Sequence, residues 1–163
     1  MDIKLKVKAE RISRSASFKV VGKAQEVFPL FGPVLEKEWA EGWDPEIIFS
    51  STGLVDLHMI FQTKASDTRE RNFTWIVTQF EPEQYFVEYT VFTQLRIWFI
   101  AVQCKQLFDS TETTVTYTYT GTSDEGNDLN REALEKMFAQ DLRDWQEAIN
   151  HYLVKISLTT NPK

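Results

Sequence analysis

Histidine and cysteine are the side chains most often used as bases, nucleophiles and zinc ligands, and this sequence has only His58, His151 and Cys104. They do not form a ligand-spaced motif, and Cys104 ends the apolar run IWFIAVQC, where a thiolate is disfavoured. The sequence has no G-x-S-x-G turn and no glycine-rich phosphate loop. We therefore predict no metal centre and no cofactor, and we can name no catalytic residue.

The position of each histidine within its predicted element decides whether it could act as a base in the interior. Apolar residues alternate through a strand predicted over residues 55–63, which places His58 and Asp56 on the opposite, outward face. His151 lies about 120° from the apolar stripe of the last helix, which is centred on Trp145. Both histidines are predicted to lie at the surface, so interior acid–base chemistry would have to use carboxylates, Tyr or Arg.

Aromatic residues on the inward registers of the predicted strands are the remaining candidates for a binding site. Tyr phenols, and Gln79 in the register of Trp75, need hydrogen-bond partners that a dry core lacks and a ligand could supply. The same positions also suit an ordinary core, and the sequence leaves both interpretations open. The predicted ligand-binding residues, including those of the last helix, are Trp39, Trp43, Phe61, Trp75, Val77, Tyr89, Tyr117, Tyr119, Phe138, Leu142 and Trp145.

The segment EWAEGWD, residues 38–44, combines two indoles, Trp39 and Trp43, with three acidic side chains. It is interpreted either as a lid over the mouth of a pocket or as a tightly packed turn.

Alternating apolar residues predict the strands that position these side chains. A long first strand covers residues 3–20 with a bend near 13–17, and two short helices follow at 24–31 and 34–39, separated by Gly32 and Pro33. Six further strands are predicted at 47–51, 55–63, 72–80, 85–92, 95–108 and 113–121, joined by turn residues. Short links between consecutive strands predict an antiparallel meander that curls as it twists.

The C-terminal region predicts one long amphipathic helix that begins near Gly126, with Asn127 or Asp128 as its N-cap. A helix with so aromatic a face needs a concave sheet to receive it, and such an arrangement encloses space for an apolar ligand. Its apolar stripe, at spacings of three and four, is Leu134, Met137, Phe138, Leu142, Trp145, Ile149, Tyr152 and Ile156.

Length and charge limit the class of protein. The 163 residues suit a single domain spanning 1–163, and the net charge of −6 provides no field that would attract nucleic acid. One cysteine excludes an internal disulfide within this chain. The sequence has no signal-peptide h-region and no apolar run of about 20 residues, so we predict a soluble cytoplasmic protein with no integral membrane segment.

The segment VFPLFGPVLEKEWAEGWD, the TWIVT strand and TVTYTYTGTSDEGN before the last helix together resemble the SRPBCC superfamily, which includes START-like domains, pollen-allergen-type proteins and polyketide cyclases. The similarity covers residues 15–158. It is strongest to bacterial members with no assigned reaction that share an F-P-L-x-x-P-V-x-E-x-x-W motif, matched here from Phe28 to Trp39 through Glu36. The resemblance implies an α+β helix-grip fold, in which a curved antiparallel sheet of about seven strands, with two short helices after the first, wraps around a long C-terminal helix.

These observations lead to one main functional hypothesis and two alternatives. The main hypothesis is a binding protein for a small hydrophobic molecule, lipid-like or aromatic, held between the sheet and the C-terminal helix. The first alternative is a polyketide cyclase- or aromatase-like enzyme, in which a Tyr and a carboxylate of Glu38 or Asp44 move protons. The second is a protein-interaction module of the chaperone-regulator type, which needs an exposed apolar patch and no cavity.

A homodimer is also predicted, because both registers of residues 95–102, LRIWFIAV, are apolar. A strand in a sheet with one face in water should alternate apolar and polar residues. The second apolar face of this strand must therefore be buried against something else. We place Trp98 and Ile100 on the outer face and expect a second copy to bury them.

Overall fold

The computed structural model describes residues 8–160 and contains a seven-stranded antiparallel sheet in the order β1-β7-β6-β5-β4-β3-β2. β1 therefore pairs with β7, and β1 and β2 are the two edges. The predicted α+β architecture with an antiparallel meander is confirmed, and the pairing of β1 with β7 is an addition to it. Residues 3–7 of the predicted first strand lie outside the described residues. The strands are β1 Arg11–Val21, β2 Glu46–Phe49, β3 Ile60–Lys64, β4 Asn72–Glu81, β5 Phe86–Phe92, β6 Arg96–Gln106 and β7 Ser110–Gly121.

Two short helical regions follow β1, as the sequence predicts. The first is α1, Ala24–Val27, continued by a 3-10 turn at Phe28–Phe31. Gly32 and Pro33 separate it from a second 3-10 turn, Leu35–Glu38. These turns place Phe28 and Phe31 in the core beneath the sheet.

The predicted single C-terminal helix is wrong in one respect, because the structure has two helices, α2 Asp124–Met137 and α3 Arg143–Thr160. The chain turns between them at Asp141 and Leu142, whose φ angles are 49° and 60°. The segment contains no Gly or Pro, so no local signal marks the break. Phe138 and Leu142 are both fully buried on either side of an exposed turn, and this packing accounts for the left-handed backbone.

The N-cap of α2 is Ser123, which precedes the predicted Asn127 or Asp128 by about one helical turn. The Ser123 hydroxyl accepts a hydrogen bond of 2.9 Å from the Gly126 amide. Acidic side chains occupy the first turn, where the helix dipole favours them. Asn127 is instead buried, and its side chain bonds the backbone of Lys8 and Glu10 before β1.

The predicted strand at 55–63 is too long. β3 begins only at Ile60, and His58 has a φ of 66°, which is not an extended conformation. Of the side chains predicted to face inward, Met59 and Phe61 are buried, whereas Leu57 is exposed. His58 is nonetheless exposed, as predicted, because its amide donates to the Val77 carbonyl at 2.9 Å and the chain turns its side chain outward.

A β-bulge in β4 overturns the predicted position of Gln79. The pairing with β5 shifts by one residue between Val77 and Gln79, so residues beyond the bulge change face. Gln79 is exposed, and Phe80 turns inward to stack on Phe28 with ring centroids 6.2 Å apart.

The predicted register of β6 is also wrong. Trp98, Ile100 and Val102 are buried on the inner face, whereas Ile97 and Phe99 lie partly exposed on the outer face. Trp98 faces inward because it pairs with Val91 of β5 and Tyr119 of β7, which are both inner residues. Trp98 and Ile100 therefore cannot form a dimer interface.

The inner face of the sheet packs against α1, the 3-10 turns, α2 and α3, and the main core lies between these layers. No helix within residues 8–160 is long and apolar enough to cross a membrane.

Candidate functional site

A cavity of about 500 Å³ lies between the inner face of the sheet and the helices α2 and α3. Its walls are aromatic and apolar, and its rim carries exposed polar residues from the β3–β4 loop and the two helices. The lining residues are Ser66, Asp67, Phe73, Trp75, Arg96, Trp98, Ile100, Tyr117, Tyr119, Leu129, Glu132, Ala133, Lys136, Met137, Asp144 and Trp145.

Four of the residues predicted to bind ligand line this cavity: Trp75, Tyr117, Tyr119 and Trp145. The sheet brings the first three together, since β4 and β7 both present these side chains to the inner face. Trp145 comes from the first turn of α3. The Tyr117 and Tyr119 rings stack with centroids 5.9 Å apart and form part of one wall.

Other predicted residues pack behind the wall. The Phe61 ring stacks on Trp75 at 5.2 Å, and Tyr89 meets both rings edge-on. The Tyr89 hydroxyl donates to the Phe31 carbonyl at 2.7 Å, so its polar group is satisfied within the protein. Val77, Phe138 and Leu142 are fully buried, and Phe138 supports Tyr117 from the helix side.

The segment 38–44 is a packed turn in this structure. The indole nitrogen of Trp39 donates to the Leu30 carbonyl at 2.7 Å, and that of Trp43 donates to the Pro33 carbonyl at 2.8 Å. The rings contact the cavity wall from behind, with Trp39 5.6 Å from Trp145 and Trp43 5.4 Å from Trp75. Both indoles therefore hold the wall in place.

A buried ion pair forms one end of the cavity wall. Arg96 and Glu70 are 4% and 5% exposed, and the guanidinium donates to the carboxylate at 2.9 Å from Nε and 2.8 Å from Nη2. The Thr93 hydroxyl adds a third bond to Glu70 at 2.7 Å. The guanidinium also lies 4.6 Å from the Trp98 ring centroid, within cation–π range. Arg96 and Glu70 are thus both fully partnered.

Glu36 is the second acidic group of the interior, and its surroundings differ. It lies in the 3-10 turn Leu35–Glu38 and is half-buried. Within residues 8–160 this carboxyl makes no hydrogen bond or ion pair. Burial raises the pKa of Glu36 to about 8. Burial chiefly, and the charge of Glu36 to a smaller extent, raise the pKa of Tyr89 and of the cavity-lining Tyr117.

The carboxylates proposed from the sequence for proton transfer do not reach the cavity. Glu38 is exposed, and Asp44 has its carboxylate 3.5 Å from Lys37 Nζ at the surface. His58 and His151 are exposed as well. Burial raises the pKa of the Cys104 thiol to about 11, and no group of His, Cys, Asp or Glu in residues 8–160 is arranged to hold a metal ion.

A second depression, of about 730 Å³, lies on the outer side of β3, β4 and β5. Its walls are polar except for Phe92, and it contains none of the predicted aromatic residues. Of these two, the cavity under the helices is the candidate for an apolar ligand.

Comparison with known proteins depends on three-dimensional structure, since no protein-family profile and no curated protein sequence matches this chain. Norcoclaurine synthase from Thalictrum flavum, solved with dopamine and hydroxybenzaldehyde, superposes with a TM-score of 0.65 at 12% identity over 95% of this chain and 91% of its own. Ara h 8.0201 gives 0.64 at 11% identity, and a protein of Thermus thermophilus, TTHA0849, gives 0.64 at 12%, each over 90% of this chain and 99% of its own.

The chain shares the helix-grip fold of these three structures. At this level of identity the similarity shows the fold alone. The helix-grip fold that the SRPBCC resemblance implied is thereby confirmed.

The cavity-lining Arg96 and the half-buried Glu36 were not singled out from the sequence. Arg96 lies two positions before Trp98 and therefore on the same face of β6. Because that face was predicted to point outward, Arg96 was not predicted to face the interior. Glu36 is part of the motif that carries the SRPBCC resemblance, but the sequence alone does not distinguish it from its neighbours Glu38 and Asp44. A 3-10 turn has three residues per turn, so Glu36 and Trp39 lie on the same side of it.

Proposed function

We propose that this SRPBCC domain binds a small hydrophobic molecule, aromatic or lipid-like, in the cavity between the sheet and the C-terminal helices. The observation that carries the proposal is the 500 Å³ cavity with aromatic walls and a polar rim. Burial of roughly 200 Å² of apolar ligand surface contributes about 5 kcal/mol, from which the loss of ligand freedom is subtracted. A ligand of this kind keeps its polar end at the rim, near Glu132 and Lys136.

The neighbouring structures support an aromatic ligand. Norcoclaurine synthase has been solved with dopamine and hydroxybenzaldehyde, which both contain a benzene ring. The walls of the present cavity, built from Trp75, Trp98 and Tyr117, offer faces and edges on which such rings pack.

Enzymatic acid–base chemistry is a second candidate function, favoured by the Glu36 carboxyl, whose pKa is raised to about 8 by burial. A carboxyl with a pKa close to neutral can both donate and accept a proton. Glu36 takes the place of Glu38 and Asp44 in this polyketide cyclase-like alternative. The presence of a cavity weighs against the interaction-module alternative, which requires a filled core.

Binding to the cavity can be tested with the neutral fluorescent probe N-phenyl-1-naphthylamine. Ala133 lines the cavity, whereas Ala139 is exposed beyond the end of α2. We expect Ala133→Phe to reduce probe affinity at least tenfold and Ala139→Phe to leave it unchanged. Equal affinity in the two variants would contradict cavity binding. Native mass spectrometry of protein from its own host would then show whether a small molecule co-purifies.

We further propose a homodimer, now through the outer register of β6. Ile97, Phe99 and Ala101 are partly exposed there, next to Phe92 of β5. The physical argument for a partner is unchanged, since apolar side chains on an outer sheet face are stabilised by cover from a second copy.

A further inference from the structure

We propose that the hydroxyl groups of Tyr117 and Tyr119 form a hydrogen-bonding subsite inside the cavity. The ligand that this subsite selects is an aromatic molecule carrying a neutral acceptor, such as a ketone carbonyl, on its enclosed part. The inference rests on the proposed binding function and assigns the chemical class of its ligand.

The first support is the position of the two phenols. Tyr117 and Tyr119 both line the cavity and are 4% and 3% exposed. They lie two positions apart in β7 and therefore on the same, inner face of the sheet. Their rings stack with centroids 5.9 Å apart and planes inclined by 27°. A ligand that lies against this wall therefore contacts both side chains.

The second support is that neither hydroxyl has a hydrogen-bond partner in the part of the chain that the structure describes. Tyr89, the other phenol of the core, differs because its hydroxyl donates to a backbone carbonyl at 2.7 Å. Within the same part of the chain, the enclosed polar atoms that lack a partner belong only to Asp56 and Asn130. The oxygens of Tyr117 and Tyr119 are therefore not enclosed in the core, and they open into the cavity that both residues line.

The third support is that both phenols act as donors. Burial raises the pKa of Tyr117 and of Tyr119 above the ordinary range of a phenol, so both keep their protons at neutral pH. The guanidinium of Arg96 lies 5.8 Å from the Tyr119 ring centroid. A positive charge beside a phenol strengthens the O–H group as a donor and weakens the oxygen as an acceptor. The ligand must therefore supply the acceptor.

The fourth support concerns the charge of that acceptor. The positive charge of Arg96 is already neutralised by Glu70, through hydrogen bonds of 2.9 and 2.8 Å. Four more charged residues line the cavity, and three of them are acidic: Asp67, Glu132, Asp144 and Lys136. Arg69 bridges two of these acids, so the rim keeps a small net negative charge. An anionic ligand finds no free cation and is opposed by the rim, whereas a neutral carbonyl needs only the two phenol donors.

Three naphthalenes of similar size and shape provide the test: the ketone 2-acetonaphthone, the hydrocarbon 2-isopropylnaphthalene and the anion 2-naphthoate. Displacement of N-phenyl-1-naphthylamine at pH 7 gives their dissociation constants. We expect 2-acetonaphthone to bind at least tenfold more tightly than 2-naphthoate. The hydrocarbon has no acceptor, so it measures how a substitution changes apolar binding alone.

Substitutions that remove one oxygen atom each locate the effect. Tyr117→Phe combined with Tyr119→Phe should weaken 2-acetonaphthone binding roughly tenfold and leave 2-isopropylnaphthalene binding unchanged. The carbonyl stretching band of the bound ketone should also move to higher frequency in this double variant, because the hydrogen bond that weakens the C=O bond is lost. Tyr152→Phe is the matched control, since Tyr152 lines a separate groove beside Leu30 and should have no effect on either ligand. Neither substituted hydroxyl bonds another described residue, so we expect the double variant to fold.

The possible outcomes separate the two proposals. An unchanged ratio of ketone to hydrocarbon affinity in the double variant, or an unmoved carbonyl band, would overturn the subsite while cavity binding stands. Tighter binding of 2-naphthoate than of 2-acetonaphthone would overturn the neutral class of ligand. If neither the naphthalenes nor N-phenyl-1-naphthylamine bind to the wild type, both proposals fail.

Discussion

Two glutamates in the interior of one small protein illustrate how surroundings decide the role of a side chain. Glu70 gains two charge-assisted hydrogen bonds from Arg96, so it stabilises the wall of the cavity as an ion. Glu36 has no ion-pair partner among residues 8–160, so burial favours its neutral form and raises its pKa to about 8. Glu70 is therefore held as an ion, while Glu36 is held mainly in its neutral form.

The raised pKa of Glu36 predicts how the stability of the ligand-free protein depends on pH. Between the unfolded pKa of 4.5 and about 8, the folded protein holds more protons than the unfolded chain, so the free energy of unfolding falls as pH rises through this range. Glu36→Gln should flatten this part of the profile, and Glu38→Gln should not. Urea denaturation at pH 5, 6, 7 and 8 measures the free energy of unfolding. If its pH dependence is the same in Glu36→Gln as in the wild type, the raised pKa of Glu36 is refuted.

Trp145 and Phe138 provide a second comparison at the residue scale. Phe138 is 1% exposed and packed on all sides, so Phe138→Ala should lower the free energy of unfolding by about 3 to 5 kcal/mol. Trp145 borders the cavity, so its ring has fewer neighbours and Trp145→Ala should cost less than Phe138→Ala. Thermal melts of both variants show which substitution destabilises the protein more. A larger loss for Trp145→Ala would mean that the cavity is filled in solution.

At the scale of elements, the N-terminus of α2 docks closely on the turn before β6. A Cβ atom added at Gly126 would lie 1.8 Å from the Leu95 carbonyl oxygen, which is backbone and cannot move aside easily. Ala is favoured over Gly in a helix by about 1 kcal/mol, but the clash outweighs this gain. We expect Gly126→Ala to be destabilising and the exposed Glu125→Ala in the same turn to be nearly neutral. Chemical denaturation distinguishes them, and a stabilised Gly126→Ala protein would disprove the close docking.

The sequence predicted the elements better than the faces they present. Alternation identified β1 and β4 to β7, because half-buried strands carry that period directly. Alternation did not predict which face of β6 is buried, because Ile97 and Trp98 are both apolar. Only the pairing of β6 with β5 and β7 decides which of the two side chains faces inward. It also failed at Gln79, since a bulge reverses the alternation without a local sequence signal.

The helix break, Arg96 and Glu36 were missed for a related reason. Phe138 and Leu142 are four residues apart, which is a helical spacing. The apolar stripe therefore appears to belong to one continuous helix from Leu134 to Ile149. Phe138 and Leu142 then pack into the core in a way that only a turn permits. The positions of Glu36 and Arg96 depend on how separate elements meet, and one sequence does not contain that information.

At the scale of the whole molecule, the proposed dimer makes a direct prediction. Phe99 lies on the outer face and pairs with Thr90 and Thr118, so Phe99→Glu leaves the inner core intact. We expect sedimentation of the wild type at micromolar concentration to show a dimer, and Phe99→Glu a folded monomer. The inward-facing Trp98→Glu should instead unfold the protein. A monomeric wild type would refute the dimer.

The turn between α2 and α3 also has a kinetic consequence. Met137 at the end of one helix and Trp145 at the start of the next both line the cavity, so the helical side of the wall is divided where the backbone is least regular. Local opening is easiest at such a division, so we expect a ligand to enter and leave between the two helices. Amide hydrogen exchange should therefore be fast at residues 138–143 in the empty protein and slow when the cavity is occupied. The time a ligand stays bound would then be governed by how often two helices part, independently of how well the aromatic walls hold it.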